Sequence, residues 1–220
     1  MITSWQDLES LVQEYGFLPF FANEIPGFSV AEHTPRERWF SDTLDGPWEW
    51  KGDVALNGKV VYGKFFEKKA GFVSLSWFAD FANYRRDGYD FDSLYEEGRV
   101  PEKDREIVEL LNERHAMNTK EIKAVLDYRK GGRTGFETVI TRLQMQTYVT
   151  VHNFVYPVDQ HGNFYGWGIA QYMTPEDKYG KTKVRAAYKR DPQKSKARIL
   201  KHLKSVLPYA EEEALLRIIG

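Results

Sequence analysis

The 220-residue sequence predicts an α+β fold: a winged helix-turn-helix set between an aromatic-rich N-terminal region and a basic C-terminal helical tail. Three observations predict it. After residue 100, three segments in succession carry apolar residues at helical spacing behind capping residues, and two strand-like segments follow them. Residues 1–98 hold 21 of the 33 Phe, Tyr and Trp, which sets the front half apart from the basic tail. From Lys178 to Lys204 there are eleven basic residues against one acid, Asp191. That stretch is +10, so with a net charge of -1 the remainder carries -11. The divisions that follow are 1–98, 99–175 and 176–220.

Ser4-Trp5-Gln6-Asp7 has the form of a capping box, and Trp5, Leu8, Leu11, Val12 and Tyr15 then recur at helical spacing up to Gly16. Residues 17–50, rich in Pro and aromatics without a period, read as ordered irregular structure. Val60–Phe66 and Gly71–Leu75 read as two strands around a Glu67-Lys68-Lys69 turn, and Ser76–Phe81 as the start of a helix. Tyr84–Arg99 has no assignable period.

Pro101 suits a first helical position, with Ile107, Val108, Leu110 and Leu111 as its stripe. Asn118-Thr119-Lys120-Glu121 opens a second helix with Ile122, Val125 and Leu126 inward. Thr134-Gly135-Phe136-Glu137 has the form of a capping box opening a third, with Phe136, Val139, Ile140 and Leu143 at i, i+3, i+4 and i+7. Tyr148–Val155 and Phe164–Tyr172 are the strands of a hairpin. Helix, helix, helix, strand, turn, strand is the order in which the third helix presents to a DNA major groove and the hairpin forms a wing. Beyond it, Thr174-Pro175 restarts a helix, Asp191-Pro192 caps another with Ala197, Leu200, Leu203 and Leu207 on one side, and Glu211–Ile219 forms a last one.

Composition narrows the chemistry. With no cysteine, disulfides, thiolate zinc sites, iron–sulfur clusters and Cys nucleophiles are excluded. His33, His115, His152, His161 and His202 include no i, i+4 pair, so no metal or other cofactor is expected. Serine-hydrolase, P-loop and dinucleotide motifs are absent. No apolar run approaches the roughly 18 residues of a membrane helix, and the N-terminus lacks a signal-peptide pattern, so a cytoplasmic location with no membrane partner is the expectation.

Duplex DNA is the expected partner. On the third helix Glu137, Thr138, Thr141, Arg142 and Met145 fall away from the apolar stripe, and Arg142 suits bidentate reading of guanine. Arg129, Lys130 and Arg133 precede that helix and suit phosphates. The hairpin tip, with His161 and Asn163, either enters a minor groove or is a polar turn. In the tail, Lys183, Arg185, Lys189 and Arg190 either meet phosphates or pair with the acidic front half. Two front-half clusters, Trp48-Glu49-Trp50-Lys51 and Asp80–Asp87, either line a pocket for a planar ligand or are core with Arg–Asp pairs at its rim.

Phe136–Gln146, together with the helices before it and the wing after it, resembles the AlkZ-like family of winged-helix DNA glycosylases. The front half, with Trp48-Glu49-Trp50-Lys51 and Tyr62-Gly63-Lys64, looks like the small AlkZ-related bacterial branch. The resemblance implies N-glycosidic hydrolysis of a damaged nucleoside. Gln144-Met145-Gln146 matches the family's Gln-apolar-Gln motif, so Gln144 and Gln146 are the implied water-orienting residues. A non-enzymatic winged-helix regulator and a protein-interaction module are the competing readings.

Overall fold

A computed structural model describes residues 1–41, 43–162, 166 and 168–220. In chain order the described elements are helix α1 (Trp5–Tyr15), strand β1 (Phe17–Pro19), helices α2 (Val30–His33) and α3 (Pro47–Leu56), and the hairpin β2 (Val60–Phe66) and β3 (Lys69–Ser74). Helices α4 (Leu75–Arg85), α5 (Phe91–Glu96) and α6 (Glu102–Arg114) follow, then β4 (Met117–Asn118), α7 (Thr119–Val125) and α8 (Phe136–Met145). A second hairpin, β5 (Thr150–Val155) and β6 (Ile169–Met173), leads to α9 (Pro175–Tyr179), α10 (Lys181–Val184), α11 (Pro192–Val206) and α12 (Glu212–Ile219). The fold is thus mixed α+β around one six-stranded antiparallel sheet, ordered β1-β3-β2-β5-β6-β4.

Local signals act where they were read. Ser4 accepts from the Asp7 N–H, and α1 stops at Gly16, whose φ of 75 suits a residue without Cβ. Asn118 and Glu121 form a reciprocal cap on α7, and the Asp191 side chain accepts from Gln193 N–H to open α11. The β2–β3 turn is two residues, Glu67 and Lys68, both with positive φ as the twist of a tight hairpin requires. Lys69 therefore belongs to the strand, and Leu75 to α4.

Four expectations need correction. Pro101 is the N-cap of α6, one residue before the helix proper. Gly135, at φ 88, is the N-cap of α8, with no side-chain cap, so Thr134 does not close a capping box. Val125 is exposed at the end of α7, whereas Ile122 is buried and Leu126 packs against the core as expected. On α11 Ala197 is exposed, while Leu203 and Leu207 are buried and Leu200 packs on the core as expected, joined by Ser195 and Ile199. Polar contacts set that rotation: Asn83 of α4 donates to Ser195 Oγ at 3.0 Å, and Ser195 Oγ donates to Asp80 at 2.7 Å.

Phe17, Phe20, Phe28, Phe65, Phe72, Phe78 and Phe81 are fully buried, so the aromatic wealth of the front half is mainly core. That core is continuous with Phe136, Val139, Ile140 and Leu143 of α8 and with Ile199 and Leu203 of α11. The sheet is continuous as well, since β2 meets β5 at Tyr62–Val151 and Thr150 Oγ1 donates to the Tyr62 carbonyl at 2.9 Å. The Lys178 ammonium, behind this junction, donates to the carbonyls of Ala55, Val151 and His152 at 2.8, 3.1 and 3.0 Å. Burial pulls its pKa down to about 7, and three carbonyl acceptors counter that by holding its three protons.

Arg86 ties the three stretches of sequence together. It caps α4, is 3% exposed, and lies 4.6 Å over the Tyr148 ring. Its Nε donates to Thr147 Oγ1 at 3.1 Å, one terminal nitrogen donates to the Thr147 carbonyl at 2.6 Å, and the other donates to Glu176 of α9 at 2.6 Å. Thr147 ends α8 with φ 63, and the N–H groups of Thr147 and Tyr148 return to the carbonyls of Gln144 and Leu143. Glycine usually fills such a helix-ending position, because a β-branched residue is strained there. Two bonds from Arg86 hold the threonine in place. Arg86→Met strips the Thr147 carbonyl of its donor and leaves the half-buried Glu176 with Arg185 alone, at 3.6 Å, and should lower stability by roughly 3 kcal/mol, read as the urea unfolding midpoint. A loss below about 1 kcal/mol would mean that the joint is not shared support.

Candidate nucleic-acid interface

The outer face of α8 and the β2–β3 hairpin enclose a groove of about 670 Å³. Thr138, Thr141, Met145 and Gln146 line it from the helix, and Lys64, Lys68 and Arg85 from the opposite side. Lys64 Nζ donates to Thr141 Oγ1 at 3.3 Å, joining the two walls. Arg85 lies 5.0 Å over the Phe81 ring and donates to the Phe65 carbonyl at 2.8 Å, while burial pulls its pKa down to about 10, leaving it charged at neutral pH. Among the described residues Glu137 is the groove's one acid, and it pairs at 2.9 Å with Lys123 of α7.

The two glutamines at the end of α8 differ in environment. Gln144 is 1% exposed; its Nε2 donates to the Ile140 carbonyl at 3.0 Å, and its Oε1 accepts the Lys64 backbone N–H at 3.1 Å. The side chain therefore fastens α8 to β2. Gln146 is the C-cap of α8 and half-buried at the groove. A helical step of two residues turns side chains about 200° apart, which is why one faces the sheet and the other the cavity.

A family model described as AlkZ related matches residues 2–220. The chain belongs to the AlkZ-related family. No curated protein and no solved structure matches it.

In this AlkZ-related chain the expected base-reading and phosphate residues fall into two groups. Arg142 donates from Nε to Asp104 at 2.9 Å with a second bond to the same carboxylate, and Arg133 grips Glu106 in the same bidentate way. Arg129 pairs with Asp127, Arg185 with Asp90 at 2.9 Å, and Arg190 with Asp80. These guanidiniums have carboxylate partners within the chain. Lys130, Thr138, Lys183 and Lys189 are exposed and, among the described residues, the three lysines carry no ion pair. His161 is exposed at the hairpin tip beside Gln160, and Asn163 lies outside the described residues.

The Asp80–Asp87 cluster is the α4–α11 joint: Asp80 takes Arg190, Arg198 and Ser195, and Asn83 donates to the Arg190 carbonyl at 2.9 Å. Trp48, Glu49 and Lys51 do line a cavity, on α3. Sequence reading missed Lys68 as a groove residue, met Arg85 only within the Asp80–Asp87 cluster, and met Lys64 only through the resemblance. The one available signal was that Lys64 is the single charge in the strand run Val60–Phe66. Among the described residues no cluster of three His, Asp or Glu is placed to hold a metal, and no helix is long and apolar enough to cross a membrane.

The asymmetry of the two glutamines has a measurable consequence. Gln144→Ala buries an unpaired Lys64 N–H and should cost about 2 kcal/mol, whereas Gln146→Ala should change stability by less than about 0.5 kcal/mol. Thermal unfolding of both variants checks this, and equal losses would place both side chains in the same structural role.

Proposed function

We propose that this chain binds duplex DNA as a winged-helix repair protein and hydrolyses the N-glycosidic bond of a damaged base. The unit is α6-β4-α7-α8-β5-β6, with β4 pairing with β6 as the third strand beside the hairpin. The observation that carries the reading is Gln146, the second glutamine of the family motif, at a groove lined by Lys64, Lys68 and Arg85. Phosphates meet Lys64 and Lys68 first, with Lys130, Lys183 and Lys189 extending the contact; Arg129, Arg133, Arg142, Arg185 and Arg190 join only by exchanging a carboxylate for a phosphate.

In the reaction, the Gln146 amide orients a water toward C1′. The new O–C1′ bond forms as the C1′–N bond breaks, the bonding pair leaves with the base, and the water's proton ends on the released base. Gln144 acts beneath it, fixing the end of α8 against β2, so the motif divides into one orienting amide and one positioning amide. No metal and no covalent enzyme intermediate is required.

Affinity for a random-sequence duplex should fall roughly ten-fold or more between about 50 and about 200 mM salt, and the Lys64→Ala, Lys68→Ala double variant should reduce the log–log salt slope by about 2. Gln146→Ala should abolish release of an alkylated base while leaving duplex affinity within about two-fold. Base release that survives Gln146→Ala removes the catalytic assignment. Failure to bind duplex at low salt removes the nucleic-acid reading and leaves an interaction module, the role in which inward-paired arginines are expected.

A further inference from the structure

A second cavity, of about 530 Å³, lies between α3 and the β5 side of the sheet. Among the described residues its walls are the rings of Trp48, Tyr62, Phe154 and Tyr156, and its charged members are Glu49 and Lys51. The walls are held from behind: Trp48 packs on Phe20 at 5.2 Å between centroids, and Tyr62 meets Phe154 edge-on at 5.8 Å. Gly168 is part of the same construction, because a Cβ there would lie 2.9 Å from the Tyr156 ring and 3.1 Å from Phe154 Cβ.

Lys51 is the unusual member. It is 7% exposed, and its Nζ lies between two ring faces, 4.4 Å from the Phe154 centroid and 5.2 Å from that of Trp48. One N–H goes to the Trp48 carbonyl. Among the described residues no carboxylate lies within ion-pair distance, since Glu49 turns away to accept the Gly46 N–H at 2.9 Å. Burial pulls the Lys51 pKa down to about 8, the direction expected of a cation short of acceptors. The cavity thus offers aromatic faces and a nearly dry ammonium with N–H groups to spare. A cationic ligand is repelled by Lys51, and a bare phosphate makes no use of four rings. A neutral planar ring with a carbonyl oxygen uses both.

We infer that this cavity binds one keto-bearing nucleobase, packed among the rings of Trp48, Phe154 and Tyr156 with its carbonyl oxygen on Lys51 Nζ. Stacking of a base on an aromatic side chain is worth about 1–3 kcal/mol, and the Lys51 bond adds discrimination between keto and amino rings. The choice of ring rests on the nucleic-acid reading above, whereas the groove on α8 and this cavity use different side chains. The base arrives either as a free nucleoside or as one extruded from a duplex, which a weak pair eases.

Calorimetry of the full chain with inosine and with adenosine tests the free source. Gel-shift titration of duplexes carrying hypoxanthine or adenine opposite one thymine tests the extruded source. The inference expects a keto preference of about five-fold or more in at least one arm. It expects Phe154→Ala and the rim variant Tyr156→Ala each to weaken the preferred ligand by about five-fold or more, and Lys51→Met to abolish the preference. Circular dichroism identifies any variant that fails to fold, and Tyr156→Ala, at a half-buried site, carries the test if Lys51→Met is lost. Equal binding of keto and amino ligands, binding indifferent to Phe154 and Tyr156, or no binding in either arm overturns the inference. Phe154→Ala leaves the Lys64/Lys68 salt slope unchanged, so a failure here is distinct from a failure of duplex docking on α8.

Discussion

The Arg86 guanidinium is buried, and every group it donates to lies far away along the chain. It leaves the end of α4 in the aromatic front half, holds Thr147 at the end of α8, and reaches Glu176 of α9. A guanidinium suits this place better than an ammonium, because its rigid fork serves a hydroxyl, a carbonyl and a carboxylate in one plane while its face rests on Tyr148. The strained Thr147 backbone follows the end of α8, whose last turn holds Gln144 and whose C-cap is Gln146. The aim of Gln146 into its groove is thus inherited from a cation sixty residues upstream.

Charge follows the same pattern of inward use. The basic tail and the acidic front half meet through Arg190 and Arg198 on Asp80, and through Arg185 on Asp90. Arginines take the paired inner positions, while Lys181, Lys183, Lys189, Lys194 and Lys201 remain exposed. The division is physically sensible: bidentate guanidiniums fix geometry, and flexible, well-hydrated ammoniums form a diffuse positive surface. Of the two readings of the tail, pairing with the acidic front half is the one its arginines follow.

Features set by neighbours in sequence were legible. The Ser4, Asn118 and Asp191 caps and the Phe136-Val139-Ile140-Leu143 stripe need only residues within a turn or two of one another. Features set by distant partners were not. The partner of Arg142 lies 38 residues away, that of Gln144 lies 80 away, and that of Arg190 lies 110 away. Exposure read from helical periodicity made Arg142 look free, because periodicity reports which face a residue is on and not what packs beside it. The same limit hid the α8 groove, whose second wall comes from a hairpin that precedes the helix by some seventy residues. Gln144 and Gln146 were recognised as a motif, but their unequal burial depends on where β2 passes.

The single ladder contact between β2 and β5 bears on how the chain is made. β2 is an interior strand only because residues far downstream cover its flank; with Val60, Val61, Tyr62, Phe65 and Phe66 it is also strongly apolar. During synthesis the first hairpin therefore emerges with a bare, sticky edge, and it stays so until β5 is made and docks. Any fragment ending before Val151 keeps that edge permanently, making the N-terminal region a self-associating species when expressed alone.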